Sequence, residues 1–356
     1  MSVSASHRTM RAGVLRNWNE LVVEDVPVPE VGPGQVRIRV RACGMCGTDV
    51  KMVHGDLQEH GWPPSLPFVI GHEWSGEIAA LGPGVDEDRL RVGDRVVAEN
   101  HLGCGACVTC RAGRYNLCER AGQPGFTLYG HSAQGAMAEF AVREARMVHR
   151  LPDSISFAAG ALVNQGALTV HALRRVGFRP GGVVGIVGPG LLGLLTAAVA
   201  RASGASRILM VGRGHRLDLA LAMGCDDTVD YEREDPVAGL RRHTDGRGVE
   251  YLFDCSGDPD VPGQALGAVT RGGSIAVLGL TAGRRAGIDV DRLVLDEIDL
   301  LGVRSSPNAY PAMIRLLASG LVDLAPLLTD IYPLDALGDA FAALEGRRAI
   351  RPIVTI

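Results

Sequence analysis

The sequence predicts an α/β fold with two domains: a β-rich first part and a doubly wound parallel sheet in the second part. The chain has 356 residues, more than a single hydrophobic core usually serves. The first third alternates apolar and polar residues, as where Val36, Ile38 and Val40 are separated by arginines. After Pro152, short apolar runs alternate with helical segments, the pattern of a parallel sheet covered by helices.

The elements follow in chain order. Strands are predicted in the first part at residues 36–42, 92–98 and 138–142, with a glycine- and cysteine-rich loop over 101–130. A helical segment covers 157–176, and strands of the second sheet are predicted at 183–187, 208–211, 251–254, 275–278 and 300–303. Amphipathic helices are predicted at 311–319 and 336–344, and a last strand at 351–356. Because no linker is visible, we expect this C-terminal piece to return to the first domain.

The composition and the net charge argue against some classes of binding partner. The net charge is −4, with 46% hydrophobic and 21% charged residues, which argues against a disordered chain and against a nucleic-acid binder. Residues 180–200 are uncharged and about long enough to span a bilayer. They contain six glycines and two prolines, so a buried strand, turn and helix fits better than a membrane span. With no signal-peptide pattern at the N-terminus, we expect a cytoplasmic protein without membrane partners.

A glycine cluster follows the strand at 183–187. Gly188, Gly190 and Gly193 form a G-x-G-x-x-G motif, and Leu191 and Leu192 begin the next helix. The first glycine permits a tight turn, the second lets the backbone approach a pyrophosphate, and the third lets helix and strand pack closely. Since the helix N-terminus also offers amides to an anion, the motif predicts a dinucleotide site.

The residues that follow the next strand, at 208–211, indicate which dinucleotide is bound. NAD sites usually carry an acidic residue there, but this chain has Gly212 followed by Arg213 and Arg216. Two arginines suit a 2′-phosphate, which favours NADP over NAD. The alternative is that Arg213 is an ordinary solvated surface residue.

Four cysteines lie close together in the loop, at Cys104, Cys107, Cys110 and Cys118. Thiolates at such short spacings suit a closed tetrahedral zinc site with a structural role. Disulfides are the alternative, but neighbouring cysteines pair poorly at these spacings.

A second set of metal-binding residue types comes from two segments. Cys46, Thr48 and Asp49 lie in one, and His72 and Glu73 in the other. A catalytic zinc has about three protein ligands and one open position, where an alcohol oxygen can bind. Asp49 would then orient the His72 ring. The alternative is that Cys46 is a core residue and His72 has a structural role.

Together these motifs resemble the zinc-dependent alcohol dehydrogenases of the medium-chain dehydrogenase/reductase superfamily, especially the polyol and sorbitol dehydrogenase branch. The matching segments are ACGMCGTD at 42–49, GHEWSGEI at 71–78, the four-cysteine loop, GPGLLG at 188–193 and DCSG at 254–257. The resemblance implies a GroES-like catalytic domain at 1–155, a Rossmann NAD(P)-binding domain at 156–304 and a C-terminal segment at 305–356 that completes the first. It also implies a homodimer or homotetramer.

The resemblance further implies two zinc ions per chain, one catalytic and one structural. It makes Cys46 and His72 ligands of the catalytic zinc, Glu73 a ligand as in the polyol branch, and Thr48 the hydroxyl that passes on the alcohol's proton. The implied reaction interconverts a secondary alcohol, such as a polyol, sugar or cyclitol, and a ketone by hydride transfer with NAD(P).

Two positions depart from the family pattern. Asn164 stands where relatives carry a cysteine or glutamate ligand, and it can offer a metal only a neutral oxygen. Lys51 stands where many relatives keep the histidine that ends the proton relay, so Lys51 or His54 is expected to replace it. Two other hypotheses stay open. One is a metal-free quinone or enone reductase on the same scaffold, and the other is a non-enzymatic nucleotide-binding zinc protein.

Overall fold

The structure is a computed structural model that describes residues 9–123, 126–281 and 283–356. Its internal contacts divide the chain into two units. The first consists of Met1–Asn164 and Leu327–Ile356, and the second of Gln165–Pro326. The first unit is therefore discontinuous in sequence, as the prediction of a returning C-terminal segment requires.

The described residues form 18 strands. In chain order, β1–β18 are Thr9–Asn17, Glu20–Pro27, Gln35–Gly44, Phe68–Val69, Glu73–Leu81, Arg95–Ala98, His101–Leu102, Thr127–Leu128, Phe140–Glu144, Val148–Arg150, Val183–Val187, Arg207–Gly212, Asp227–Asp230, Val249–Asp254, Val269–Val277, Asp299–Gly302, Ile331–Pro333 and Ile353–Thr355.

The same residues form 11 α-helices. In chain order, α1–α11 are Gly47–His54, Val108–Arg111, Phe157–Ala161, Val163–Arg175, Leu191–Ala202, Arg216–Ala222, Pro236–Arg242, Val261–Ala268, Val290–Leu295, Tyr310–Ala318 and Leu337–Glu345. Short 3-10 turns lie at Gln58–His60, Tyr115–Leu117, Ala145–Met147, Ala325–Leu327 and Leu334–Ala336.

The first unit is organised around β3. This strand pairs antiparallel with β5, β9 and β18 within a sheet of order β10-β6-β5-β3-β18-β17. Its inward residues Val36, Ile38 and Val40 are fully buried in the core, as their alternation with arginines predicts. The last strand, β18, pairs with the C-terminal end of β3, where Ile353 faces Gly44. The C-terminal segment thus reaches the chain just before Cys46.

The second unit contains a six-stranded parallel sheet of order β13-β12-β11-β14-β15-β16. This is the doubly wound Rossmann order, in which the chain changes direction between the neighbouring strands β11 and β14. Ligands of such sheets bind beyond the carboxyl ends of these two strands. The sequence predicted five of the six strands. It missed β13 because this edge strand begins and ends with aspartate, and only Val229 within it is buried.

Both predicted domain boundaries come too early. Helix α3 belongs to the first unit because the Ser75 hydroxyl donates to the Phe157 carbonyl at 2.5 Å, and the Cα of Gly160 packs against the Ser75 side chain. Helix α10 belongs to the second unit because Met313 fills the space above Gly166 in α4. The predicted helix over 157–176 is also two helices, interrupted at Leu162.

Residues 180–200 form β11, a turn and most of α5, as the glycines and prolines in this stretch predict. Among the described residues, no helix is both long enough and apolar enough to cross a membrane.

Candidate active site and zinc sites

Cys46 lies at the start of α1, directly after β3. Its Sγ accepts the backbone N–H of Thr48 at 3.2 Å, and Asp49 Oδ2 in turn accepts the N–H of Cys46 at 2.8 Å. The bond to Asp49 Oδ2 and a further bond from the Asp49 backbone N–H to Cys46 Sγ form a capping box, which fixes the sulfur at the N-terminus of the helix. A cysteine sulfur binds a metal ion as the thiolate, and the helix N-terminus holds this sulfur in a fixed position.

His72 is brought to this sulfur by the glycine before it. Gly71 has φ +94°, and a Cβ there would come within 2.7 Å of Cys43 Sγ and 2.9 Å of the Met137 nitrogen. Only glycine therefore allows the chain to pass this point and begin β5 beside β3. The result is a contact of 3.2 Å between His72 Nε2 and Cys46 Sγ, with both side chains buried.

Asp49 lies on the opposite side of the His72 ring. Its Oδ1 is 3.5 Å from His72 Nδ1, so the carboxylate lies beside Nδ1 while Nε2 faces the sulfur. Burial lowers the pKa of His72, but the neighbouring carboxylates of Asp49 and Glu73 together outweigh this effect and raise the pKa above its ordinary value. One ligand atom from each of Cys46, Asp49 and His72 lies within 4.8 Å of the others, so this buried group has the composition and spacing of a metal site.

Glu73 is a buried carboxylate beside the same histidine. Its Oε1 is 3.7 Å from His72 Nε2 and 3.3 Å from Nη1 of Arg351, which also donates to the Met45 carbonyl at 2.9 Å. Arg351 was not predicted from sequence. The only sequence signal for it was the expectation that the C-terminal segment returns to the first domain.

His131 is a second residue that the sequence analysis missed, because nothing near it in sequence marks a site. Its ring centroid is 4.4 Å from that of His72, and its Nδ1 is 3.3 Å from the Tyr129 carbonyl. Burial, with a smaller contribution from the neighbouring His72, lowers the pKa of His131 to about 3. The ring is therefore neutral at physiological pH.

The four predicted cysteines of the loop come together. The Cys107 N–H points to Cys104 Sγ at 3.4 Å, the Cys104 N–H to Cys118 Sγ at 3.5 Å, and Cys110 completes the group. None of the eight cysteines forms a disulfide. The Thr109 hydroxyl, 3.2 Å from Cys107 Sγ, and the Glu119 backbone N–H lower the pKa of Cys107 to about 6. Four reduced thiols within 4.8 Å of one another suit a tetrahedral zinc ion with a structural role.

The glycine turn after β11 has the geometry that a dinucleotide requires. Gly188 has φ +101°, and a Cβ on Gly193 would lie 2.1 Å from the Gly188 carbonyl oxygen, so α5 packs tightly on the turn. In contrast, a Cβ on Gly190 would meet no described atom within 4 Å. Gly190 is also the N-cap of α5, whose first residues are Leu191 and Leu192. Its open side therefore leaves the helix amides accessible to a pyrophosphate.

Packing explains why β12 ends in a glycine. A Cβ on Gly212 would come within 2.4 Å of Pro189 Cγ, so the Pro189 ring excludes an acidic side chain at this position. Arg213 is more than half exposed and pairs with Glu232 at 2.7 Å, while Arg216 begins α6.

The remaining predicted residues lie on two helices. Thr48 and Lys51 follow Cys46 on α1. His54, at the end of that helix, contacts Asn19 Oδ1 and Glu345 Oε1 at 2.6 Å each, which occupies both ring nitrogens. Asn164 lies in the first turn of α4. The roles predicted for these residues stay predictions.

Comparison with protein families gives two matches. Residues 32–153 match the alcohol dehydrogenase GroES-like domain, and residues 192–319 match the zinc-binding dehydrogenase family. Sorbitol dehydrogenase of Bacillus subtilis (strain 168) is 34% identical over 94% of this chain and 93% of its own. L-threonine 3-dehydrogenase of Rhizobium etli (strain CIAT 652) is 34% identical over 91% of this chain and 92% of its own.

Among solved structures, a zinc-binding dehydrogenase from Sinorhizobium meliloti 1021 with bound NADP superimposes with a TM-score of 0.89 at 26% identity. The superposition covers 98% of this chain and 100% of that chain.

Proposed function

The chain belongs to the zinc-containing alcohol dehydrogenases of the medium-chain dehydrogenase/reductase superfamily, and we propose that it interconverts a secondary alcohol and a ketone. It is an NAD(P)-dependent dehydrogenase that acts on CH–OH donors. The proposed substrate class is a polyol, a sugar or a cyclitol. The observation that carries the proposal is the buried 3.2 Å contact between Cys46 Sγ and His72 Nε2 at a helix N-terminus.

Cys46 and His72 would hold the catalytic zinc, with Glu73 as the third protein ligand. A zinc ion with an open position acts as a Lewis acid that makes a bound alcohol easier to deprotonate. Glu73 is favoured over Asp49 because it lies on the Nε2 side of His72, whereas Asp49 lies on the Nδ1 side and is tied to the Cys46 N–H. Asp49 is thus a positioning residue for the imidazole.

Side chains of α1 would accept the proton of the alcohol. Thr48 is two residues from Cys46, so its hydroxyl is our candidate to accept this proton. Lys51, one turn further along the helix, is the preferred next acceptor. His54 is the weaker candidate because both of its ring nitrogens already contact Asn19 and Glu345.

The glycine turn would bind the cofactor, which accepts the hydride in the oxidation. Gly188 sets the turn, Gly193 holds α5 against it, and Gly190 leaves room for the pyrophosphate at the helix N-terminus. We propose NADP as the preferred cofactor, because no acidic side chain fits at Gly212 and because Arg213 and Arg216 follow it. Replacing Arg213 with alanine should then raise KM for NADP but not for NAD.

The four-cysteine loop would hold a second zinc ion. Cys104, Cys107, Cys110 and Cys118 would fill all four positions of a tetrahedral site, leaving none for substrate. Its role would be to order a segment of little regular structure, where only short elements such as α2 occur.

A homodimer or homotetramer is the proposed assembly. Strand β16 is the outer strand of the six-stranded sheet, and the exposed side chains of Leu280, Val294 and Leu295 are apolar. A strand at the edge of a sheet and exposed apolar side chains are both features that a second copy can cover. Light scattering of the wild type and of Leu295→Glu would test this proposal.

The function is tested by following the reduction of NADP and of NAD spectroscopically. The substrates are secondary alcohols and polyols, including 2-butanol, 2,3-butanediol and sorbitol. We expect the wild type to reduce the cofactor and Cys46→Ser to lose this activity. The control is Val108→Ser, which also introduces a serine but at an exposed residue that is not a cysteine, and it should retain the activity. Reduction of an enone that persists in Cys46→Ser, with no oxidation of any alcohol, would contradict the proposal.

A further inference from the structure

The neighbouring strands β12 and β13 end side by side in the parallel sheet of the second unit. Gly212 lies opposite Asp230 in the register of this pair, and the Tyr231 N–H donates to the Gly212 carbonyl at 3.1 Å. The chain therefore leaves both strands at the same edge of the sheet. Residues 231–234, which follow β13, consequently lie beside Arg213, which follows β12.

A turn after β13 places Glu232 against Arg213. Asp230 closes this turn, because its carbonyl accepts the Arg233 N–H at 2.9 Å and its Oδ1 accepts the Glu232 N–H at 3.0 Å. Glu232 Oε1 then lies 2.7 Å from Arg213 Nη1, the distance of a charge-assisted hydrogen bond. The Arg213 guanidinium also lies 5.8 Å from the centroid of the Tyr231 ring. Arg213 is thus held by two residues that follow the neighbouring strand.

A second carboxylate in this turn, that of Asp230, contacts a different arginine. Its Oδ2 lies 3.3 Å from Nε of Arg233. The side chains of Arg213 and Glu232 are 56% and 54% exposed, so a ligand in solution can reach either member of their ion pair. Glu232 is therefore the carboxylate that a ligand meets when it binds to Arg213.

A 2′-phosphate and the Glu232 carboxylate need the same guanidinium. Both are anions that accept hydrogen bonds from arginine, and Glu232 already takes one of the N–H donors of Arg213. When the phosphate binds, it either displaces the carboxylate or stays close to it, where the two like charges repel each other. NAD carries a neutral hydroxyl in place of this phosphate, so it does not compete with the carboxylate. Glu232 should therefore weaken the binding of NADP without weakening that of NAD.

We propose that Glu232 limits the preference for NADP over NAD by competing with the 2′-phosphate for Arg213. The proposal rests on the proposed function, because it assumes that Arg213 binds the 2′-phosphate. It makes Glu232 a specificity-determining residue for the cofactor. Because the ion pair is exposed to water, the effect is moderate, and removal of the carboxylate should favour NADP about 3- to 10-fold.

The test compares two ligands that differ only in the 2′-phosphate, adenosine 2′,5′-bisphosphate and adenosine 5′-monophosphate. Isothermal titration calorimetry on the full chain measures their Kd without oxidation of any alcohol. We expect Glu232→Gln to lower Kd for the bisphosphate about 3- to 10-fold and to change Kd for the monophosphate less than about 2-fold. The ratio of kcat/KM for NADP to kcat/KM for NAD should rise by the same factor as the affinity for the bisphosphate.

Two further variants show whether the effect depends on Arg213. Arg213→Ala should weaken the binding of the bisphosphate. Adding Glu232→Gln to Arg213→Ala should then recover less than about 2-fold, because the competition requires the guanidinium. Glu234→Gln is the matched control, since it removes the same charge two residues further on, but Glu234 pairs with Arg242 at 2.7 Å. This control should leave Kd of both ligands unchanged.

Equal Kd for the bisphosphate in Glu232→Gln and the wild type would overturn the proposal, and a loss of affinity in Arg213→Ala would then show that the 2′-phosphate site itself stands. The same gain in Glu234→Gln as in Glu232→Gln would also overturn it, because the gain would then come from net charge rather than from the ion pair. If Arg213→Ala binds the bisphosphate as tightly as the wild type, both this proposal and the assignment of the 2′-phosphate to Arg213 are wrong. Failure to oxidise any alcohol with either cofactor would instead count against the proposed function, because the calorimetric result does not depend on turnover.

Discussion

At the scale of single residues, the pair that the sequence analysis selected is in contact. Cys46 and His72 come from different segments, and a helix cap and a positive-φ glycine bring their ligand atoms to 3.2 Å. Residue type, together with the resemblance of the two segments to the family's motifs, predicted this pair. They did not reveal His131 or Arg351, because neither lies in a recognisable motif and both reach the site only through tertiary contacts.

Asn164 gives the first prediction at this scale. Asparagine offers a metal only a neutral oxygen, so Asn164→Glu should add a charged ligand and slow zinc loss during dialysis against a chelator on the order of 10-fold. Asn164→Gln is the matched control, since it has the same length as glutamate without the charge. Equal retention by the wild type and Asn164→Glu would rule out a place for residue 164 beside the metal.

Lys51 gives the second prediction at the scale of single residues. If its amine receives the proton from Thr48, Lys51→Ala should lower the rate mainly at low pH, because hydroxide can take over as the base when the pH rises. Lys51→Arg keeps a long basic side chain, but its guanidinium does not deprotonate and so cannot accept a proton, and this variant should behave like alanine rather than like the wild type. A pH–rate profile of Lys51→Ala that is merely scaled down at every pH would exclude this role.

At the scale of helices and strands, the hydrophobic periodicity and the glycines between apolar runs predicted most of the second unit. Residues 183–187 were predicted as a strand and form β11 with the same bounds. The predictions failed where tertiary pairing outweighs local pattern. Strand β13 was missed because it gains its hydrogen bonds from β12 and buries a single side chain. The break at Leu162 was also missed, because nothing polar marks it.

The turn between β11 and α5 offers a matched pair of variants. Gly193→Ala would force a Cβ to 2.1 Å from the Gly188 carbonyl oxygen and should destabilise the fold by about 1–3 kcal/mol. Gly190→Ala meets no described atom within 4 Å, so it should leave the melting temperature nearly unchanged. Because its methyl group lies where the pyrophosphate approaches, it should raise KM for the nicotinamide cofactor about 10-fold. Equal cofactor KM in Gly190→Ala and the wild type would show that the cofactor binds elsewhere.

At the scale of the whole molecule, the sequence predicted a discontinuous first unit but not its limits. The return of the C-terminal segment followed from the absence of a linker, and it accounts for the contact between Arg351 and Glu73. The limits could not be predicted because α3 and α10 are apolar helices that either unit could have buried. Only specific contacts, such as Met313 against Gly166, decide between the two.

We propose that this chain has one open and one closed zinc site. The most direct test is zinc content per chain, measured by mass spectrometry on protein purified without chelators. We expect about two zinc ions in the wild type and about one in both Cys46→Ser and Cys110→Ser, with alcohol oxidation lost in Cys46→Ser. A wild type with about one zinc ion, unchanged in Cys46→Ser and absent in Cys110→Ser, would mean that Cys46 and His72 hold no zinc.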